Sequence, residues 1–333
     1  MNKRRMLKGF LFATCALALA ACGGVSSSSV PIAVSAAAVA SPAVFVSNTG
    51  ANDVVAFAAR GNDPVRTIAS GIKGPGPLAL DGLGHLYVAN LAAKTVGVYD
   101  TADGSLKRTI APKLGAIASI AVSNDGELAV ALGAGKVITY SEEGRPIRTI
   151  ADSYGPSSVA FDSHDNLFFT DSRGVLMYSP GYASPVWSAA VPGTPTLVAV
   201  YGTNGVAVAF RKPNERAASA IQIADLLNPL YQQIAGLHDV CGMTTDARNN
   251  FYVCDNAGGG SNVGIYTLGA EKPARTIVHG IDQPLAIAVT PAGTLFVVNR
   301  NEIVTEYRSD GLRERNLGQG LDAPIAIAVT AGA

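Results

Sequence analysis

PLALDGLGHLYVANLAAKTVGVYDTADGSLKRTI, residues 77–110, reads as four short strands separated by three turns. Leu78 to Leu80 is an apolar run behind Pro77, and Asp81-Gly82-Leu83-Gly84 turns the chain, because glycine admits positive φ and an aspartate can cap turn amides. Leu86 to Ala89 is a second run, ending at Asn90, and Val96 to Tyr99 is a third. Asp100 to Gly104 is another turn, and Lys107 to Ile110 forms a more polar last strand. Turn signals every ten or so residues between such runs indicate an antiparallel meander. No sustained helical period is present.

Weaker copies continue to the C-terminus. First strands read PLALD (77–81), SIAVS (119–123), SVAFD (158–162), LVAVY (197–201), GMTTD (242–246), LAIAVT (285–290) and IAIAVT (325–330), about forty residues apart. Second strands end FVSN (45–48), YVAN (87–90), FFTD (168–171), YVCD (252–255) and FVVN (296–299), with degenerate forms at 128–132 and 206–210. Third strands pair a valine with an aromatic residue three positions on, as in Val54 and Phe57 or Val96 and Tyr99. Arg-Thr-Ile recurs in the fourth strand at 66–68, 108–110, 148–150 and 275–277, a polar edge expected to face water. Four strands per forty-residue unit is the pattern of a propeller. The expectation is an all-β fold: a seven-bladed β-propeller of four-stranded antiparallel blades over residues 43–333. The first copy begins at a second strand, AVFVSN, and the chain ends with an unaccompanied first strand, PIAIAVT. Pairing the two closes the ring and removes an open sheet edge.

These repeats resemble the NHL-type and YVTN-type β-propeller repeats. They lack the tryptophan-aspartate dipeptide of another propeller class, and the single tryptophan is Trp187. Such a resemblance implies the fold and says little about activity.

The N-terminus has the order of an export signal: Lys3, Arg4, Arg5 and Lys8, then an apolar stretch from Gly9 to Ala21, too short to span a bilayer. Leu19-Ala20-Ala21-Cys22 resembles the lipobox of bacterial lipoproteins, in which the cysteine thiol accepts a diacylglycerol group. The expected division is a signal peptide at 1–21, lipidated Cys22 with a Ser/Ala/Val-rich tether through 42, and the propeller thereafter. Gly23, in place of an aspartate, makes the outer membrane the default destination. Zero formal net charge on 333 residues gives no electrostatic reason for a nucleic-acid partner.

Asn48, Asn90, Asp171, Asp255 and Asn299 end second strands and should form a ring on one face. Their recurrence points to side-chain caps on the following turn, with ligand contact as the alternative. Asp239, Asp282 and Asp322 precede first strands on the same face. Converging oxygens there could hold a hard cation such as calcium; an aspartate satisfying a turn, next to Pro284 or Pro324, is the plainer reading. His85 and His164 belong to the opposite face from His238 and His279, without zinc-ligand spacing. There is no G-x-S-x-G elbow. The basic insert 211–216 and the glycine-rich 258–261 are expected to protrude beside the ring.

Cys241 and Cys254 flank a hairpin turning at Asp246 to Asn250. If Thr244 faces Phe251, Cys241 faces Cys254 with Cα atoms about 4.5 Å apart, near the lower limit for a disulfide. An exported chain favours the bridge, whereas a register slip of one residue would favour two buried thiols.

Propellers of the regucalcin and gluconolactonase kind bear a metal at the channel mouth, held by acidic and amide side chains. The first strands here contain neither Glu nor His, a departure from that pattern. The functional expectation is a lipid-anchored cell-envelope scaffold whose loop face binds a protein or small ligand. A metal-dependent lactonase-like hydrolase is the alternative.

Overall fold

The computed structural model describes residues 42–110, 114–201, 205–213, 218–223, 226, 231–256 and 260–333. The export signal, Cys22 and the tether to residue 41 lie outside the described residues, as do 214–216 of the basic insert and Gly258 and Gly259. The described residues form 28 strands and no helix, grouped as seven four-stranded antiparallel sheets. Blade 1 joins both ends of the chain: Pro324–Val329, Pro42–Asn48, Asp53–Ala58 and Pro64–Ile68. Blade 2 runs Pro75–Leu80, His85–Asn90, Thr95–Asp100 and Leu106–Ile110; blade 3 runs Ile117–Val122, Leu128–Leu132, Lys136–Tyr140 and Pro146–Ala151. Blade 4 runs Ser158–Phe161, Leu167–Asp171, Gly174–Tyr178 and Trp187–Ala190. Blade 5 comprises Thr194–Tyr201, Gly205–Arg211, Ala218–Ile223 and Tyr231–Leu237. Blade 6 comprises Val240–Thr245, Phe251–Asp255, Asn262–Tyr266 and Arg275–Ile277. Blade 7 comprises Pro284–Val289, Leu295–Asn299, Val304–Tyr307 and Arg313–Leu317.

The core is divided among the blade interfaces. The described residues contain seven apolar clusters, one between each neighbouring pair of blades. This explains the composition of the second strands. A strand covered on both sheet faces reads as a continuous apolar run, and every residue of Leu167–Asp171, Phe251–Asp255 and Leu295–Asn299 is buried. Successive side chains leave in opposite directions. Phe45 packs with Leu86, Val88 and Tyr99 of blade 2, while Val44 and Val46 pack with Phe296 and Val298 of blade 7. The valine and aromatic residues of the third strands, including Val54, Phe57, Val96 and Tyr99, are fully buried in these same layers. First strands stand side by side around the axis. Hydroxyl groups tie several together: Ser119 Oγ accepts from the Val159 N–H at 3.3 Å, Ser158 Oγ from the Val198 N–H at 3.2 Å, and Thr245 Oγ1 donates to the Val200 carbonyl at 2.9 Å.

The fourth-strand arginines do more than solvate an edge. Arg66 donates to the Thr101 carbonyl of blade 2 at 3.3 Å, Arg148 to Tyr182 of blade 4 at 2.8 Å, and Arg275 to Ser309 of blade 7 at 3.2 Å. Each reaches the turn between the third and fourth strands of the next blade. Arg315 repeats the arrangement from blade 7 to blade 1, bonding the carbonyls of Gly61 and Ala58 while paired with Glu306. Burial raises the Glu306 carboxyl above its usual range, against the opposing pull of Arg315. Blade 4 has Trp187 at this position, packed on the blade 5 cluster. In blade 5 a tie comes from the third strand, where Gln222 accepts from the Gly269 N–H and donates to the Ala270 carbonyl. The edge strands are polar and partly exposed as expected, and Arg66, Arg148 and Arg275 in addition tie neighbouring blades together.

The blade 6 hairpin also differs in detail from its expected register. Thr245, rather than Thr244, faces Phe251, so Gly242 lies opposite Cys254. The register shifts between Val240 and Gly242, making Cys241 the extra residue of a β-bulge. That bulge returns the side chain to its partner. Cys241 and Cys254 are joined by a disulfide, with Cα atoms 5.3 Å apart.

Closure of the ring occurs through Val44 opposite Val329, Phe45 opposite Ala328, Val46 opposite Ile327 and Ser47 opposite Ala326. Deleting residues from Pro324 onward should remove this ladder, leave one edge of Pro42–Asn48 unpaired and take Ile327 out of the cluster between blades 1 and 7. Burying one large apolar side chain contributes roughly 1.5–3 kcal/mol, so the truncated protein should melt well below the full chain. A calorimetric scan showing equal melting temperatures would contradict the closure's importance.

Candidate functional site

The loop face gathers the loops that lead into each first strand and the turns between second and third strands. The polar second-strand ends lie beneath it, and all five are buried: Asn48, Asn90, Asp171, Asp255 and Asn299. Four share one contact. Asn90 Oδ1 accepts from the Lys73 N–H at 3.1 Å and Asn299 Oδ1 from the Asp282 N–H at 2.9 Å. Asp255 Oδ1 accepts from the N–H groups of both His238 and Asp239 at 2.8 and 2.9 Å. At the seam, Asn48 Oδ1 accepts from the Asp322 N–H at 3.4 Å. The incoming loop thus meets an oxygen acceptor, which Asn and Asp supply equally well. That requirement accounts for their interchange.

The expected cap on the following turn is only part of the arrangement. Asp171 makes it, accepting from the N–H groups of Arg173 and Gly174. Asn299 contributes as well, donating to the Ile303 carbonyl at 3.2 Å. In the other three blades the shared backbone contact runs to the incoming loop, because that loop brings unpaired amides over the blade. Asn48 also donates to Asp53 and to the Gly320 carbonyl at 2.8 and 2.9 Å.

Above this buried layer the exposed groups include Lys73, His238, Asp282 and Asp322, with Asp239 half-buried. Asp322 lies against Gly50, where any side chain would run into its carboxylate. Neighbouring Asp53 has its carboxyl raised, by burial first and by Asp322 in addition. Asp239 pairs with Arg211, and His238 Nδ1 lies 3.2 Å from Asp255 Oδ2. Among the described residues, no group of three or more His, Cys, Asp or Glu side chains is placed to hold a metal ion. Asp239, Asp282 and Asp322 therefore occupy separate junctions.

Two loop-face residues escaped the repeat reading. Arg211 occupies in blade 5 the position of the capping Asn or Asp, opposite the start of its first strand. Alignment of VAVAFR with the other second strands carries that signal. Arg173 covers the blade 4 junction, ion-paired with Asp171 and reaching Asp152 at 3.5 Å. Its guanidinium carbon stands 3.8 Å from the Tyr154 ring centroid. Burial opposes ionisation of Asp171, but the side-chain and backbone hydrogen bonds of Arg173 outweigh it and hold the carboxyl below its usual range. Asp152, where burial dominates, moves upward.

The opposite mouth contains a cavity of about 460 Å³ lined by residues including Ser123, Asn124, Asp162, Ser163, Asp246 and Pro291. Its carboxylates are committed. Asp162 Oδ1 accepts from the His164 and Asn166 N–H groups, and Asp246 Oδ1 from those of Arg248 and Asn250. Asp81 does likewise for Leu83 and His85, with His85 Nδ1 2.8 Å from Oδ2. His164 belongs to the same kind of turn, as the sequence indicates.

Replacing Asn299 by alanine would strand the Asp282 N–H and remove the amide's donor contacts to Ile303 and Thr305. The expected loss is about 3 kcal/mol, since several buried groups lose partners together. Asp282→Asn should change stability by no more than about 0.5 kcal/mol. Denaturant titration of the two variants checks both values.

No protein-family model and no curated protein sequence matches this chain. Among solved structures it is similar to a chain of Kuenenia stuttgartiensis hydrazine synthase, with a TM-score of 0.57 and 14% sequence identity. The match covers 72% of this chain and 79% of that one, and at this identity the likeness shows the propeller fold alone.

Proposed function

We propose that this protein is a lipid-anchored cell-envelope propeller that uses its loop face as a binding scaffold for a protein partner. The observation carrying this reading is the division between buried and exposed polar groups. Buried Asn and Asp acceptors fix the backbone of the incoming loops, while Lys73, His238, Asp282 and Asp322 extend above it into solvent. A rigid frame under exposed, chemically varied side chains lowers the ordering cost of binding. The lipid anchor is supported by the LAAC sequence at 19–22, and acyl chains on Cys22 would supply the membrane attachment. A small ligand on the same face would use the same groups. Among the described residues, no acidic constellation supports the hydrolase alternative.

A photocrosslinking amino acid placed at 282 or 322 in intact cells should give adducts of discrete mass. The same probe at 125 or 310, in turns at the opposite end of the blades, should not give them. Cys22→Ser should abolish acyl labelling and release the protein from the membrane fraction. Equal adducts from both ends, or none, would remove the binding reading; persistent labelling of the serine variant would remove the anchor.

A further inference from the structure

Five turns between first and second strands share one local geometry, and their fourth residue has positive φ. Gly84, Gly126 and Gly293 fill that position in blades 2, 3 and 7, and Asn249 does so in blade 6. Blade 4 has Asp165, at φ 59°. Left-handed backbone is readily reached by glycine and tolerated by asparagine or aspartate, so a carboxylate here is not required by the turn. Its side chain has no cap to make, because Asp162 already accepts from the His164 and Asn166 N–H groups. Asp165 Oδ1 is nevertheless buried and has no hydrogen-bond partner. A buried, unpartnered carboxylate oxygen is costly unless something supplies a donor.

That carboxylate lines a groove of about 300 Å³ between blades 3 and 4. Glu127 lines it too, and Ile147, Pro180 and Tyr182 provide apolar wall. Ile147 and Tyr182 are 56% and 59% exposed, and both line this groove. The groove's one lining cation, Arg148, is already occupied: it donates to the Tyr182 carbonyl and lies 5.5 Å from the Tyr178 ring centroid. Two carboxylates against one committed guanidinium leave net negative charge beside an apolar wall.

We infer that this groove binds an alkylammonium group, the cation meeting Asp165 and Glu127 while its methylene chain lies along Ile147, Pro180 and Tyr182. A free amine and a lysine side chain carry the same chemistry. The site is separate from the loop face and stands or falls independently of the function proposed for that face.

The test is NMR titration of the full mature protein with pentylammonium, with pentanol as the uncharged counterpart, and with N-acetyl-lysine amide. Pentylammonium should saturate below about 10 mM and bind at least about tenfold more tightly than pentanol. Saturation by N-acetyl-lysine amide as well would assign the groove to peptide side chains; saturation by pentylammonium alone would assign it to free amines. Asp165→Asn and Asp165→Gly should each weaken amine binding about tenfold. Both substitutions place at 165 a residue type that sister turns already use, so melting temperatures should hold or rise. Failure to saturate, equal binding of pentanol, or unchanged affinity in both variants would overturn the inference.

Discussion

The pairing of Pro324–Val329 with Pro42–Asn48 is the constraint on which the remainder of the ring depends. No blade has a core of its own; each buries its two faces only against its neighbours. A row of blades left open would expose an apolar face at each end and an unpaired strand edge. The seam is correspondingly well supplied with contacts. Beyond the strand ladder, the Thr49 and Gly50 N–H groups donate to Ala323 and Asp322, Asn48 reaches Gly320, and Arg315 spans from blade 7 to the carbonyls of blade 1. Burying the Arg315–Glu306 pair is stabilising only because those carbonyls satisfy the rest of the guanidinium.

A frame closed in this way places its polar side chains in two layers with different tasks. The inner layer satisfies backbone amides and is unavailable to solvent. The outer layer is held in place by the inner one. Blade 6 concentrates both, because the disulfide fastens the bulge at Cys241 directly below the His238 and Asp239 amides that Asp255 collects. Blade 5 substitutes an ion pair, Arg211 with Asp239, for the Asn or Asp acceptor used in five other blades.

Period, strand order, blade number and closure were legible because each is written in apolar alternation and turn residues, which act locally. The ring of Asn and Asp was legible as caps, but not their main target. The amides they satisfy lie some seventeen residues back, as Lys73 does from Asn90. The arginine ties were hidden for the same reason, since a carbonyl acceptor on the next blade leaves no mark on residue type. Arg66 and Arg275 look like ordinary edge residues until the neighbouring turn is in place. In the hairpin of blade 6, the expected partnership of Cys241 and Cys254 survives a register that differs by one, because a bulge compensates. Alternation alone does not encode a bulge. Asp165 differs from its sister turns only in a carboxylate oxygen buried without a donor, which residue type alone does not reveal.

Hydrogen exchange at the seam tests the central claim most directly. If closure makes the ring one cooperative unit, amides in Val44–Asn48 and Ile325–Val329 should exchange only with global unfolding. Their protection should match that of the second strands Leu167–Asp171 and Leu295–Asn299, and should fall together with it as denaturant is added. Exchange of the two seam segments well ahead of those strands, with the other blades still protected, would contradict the account.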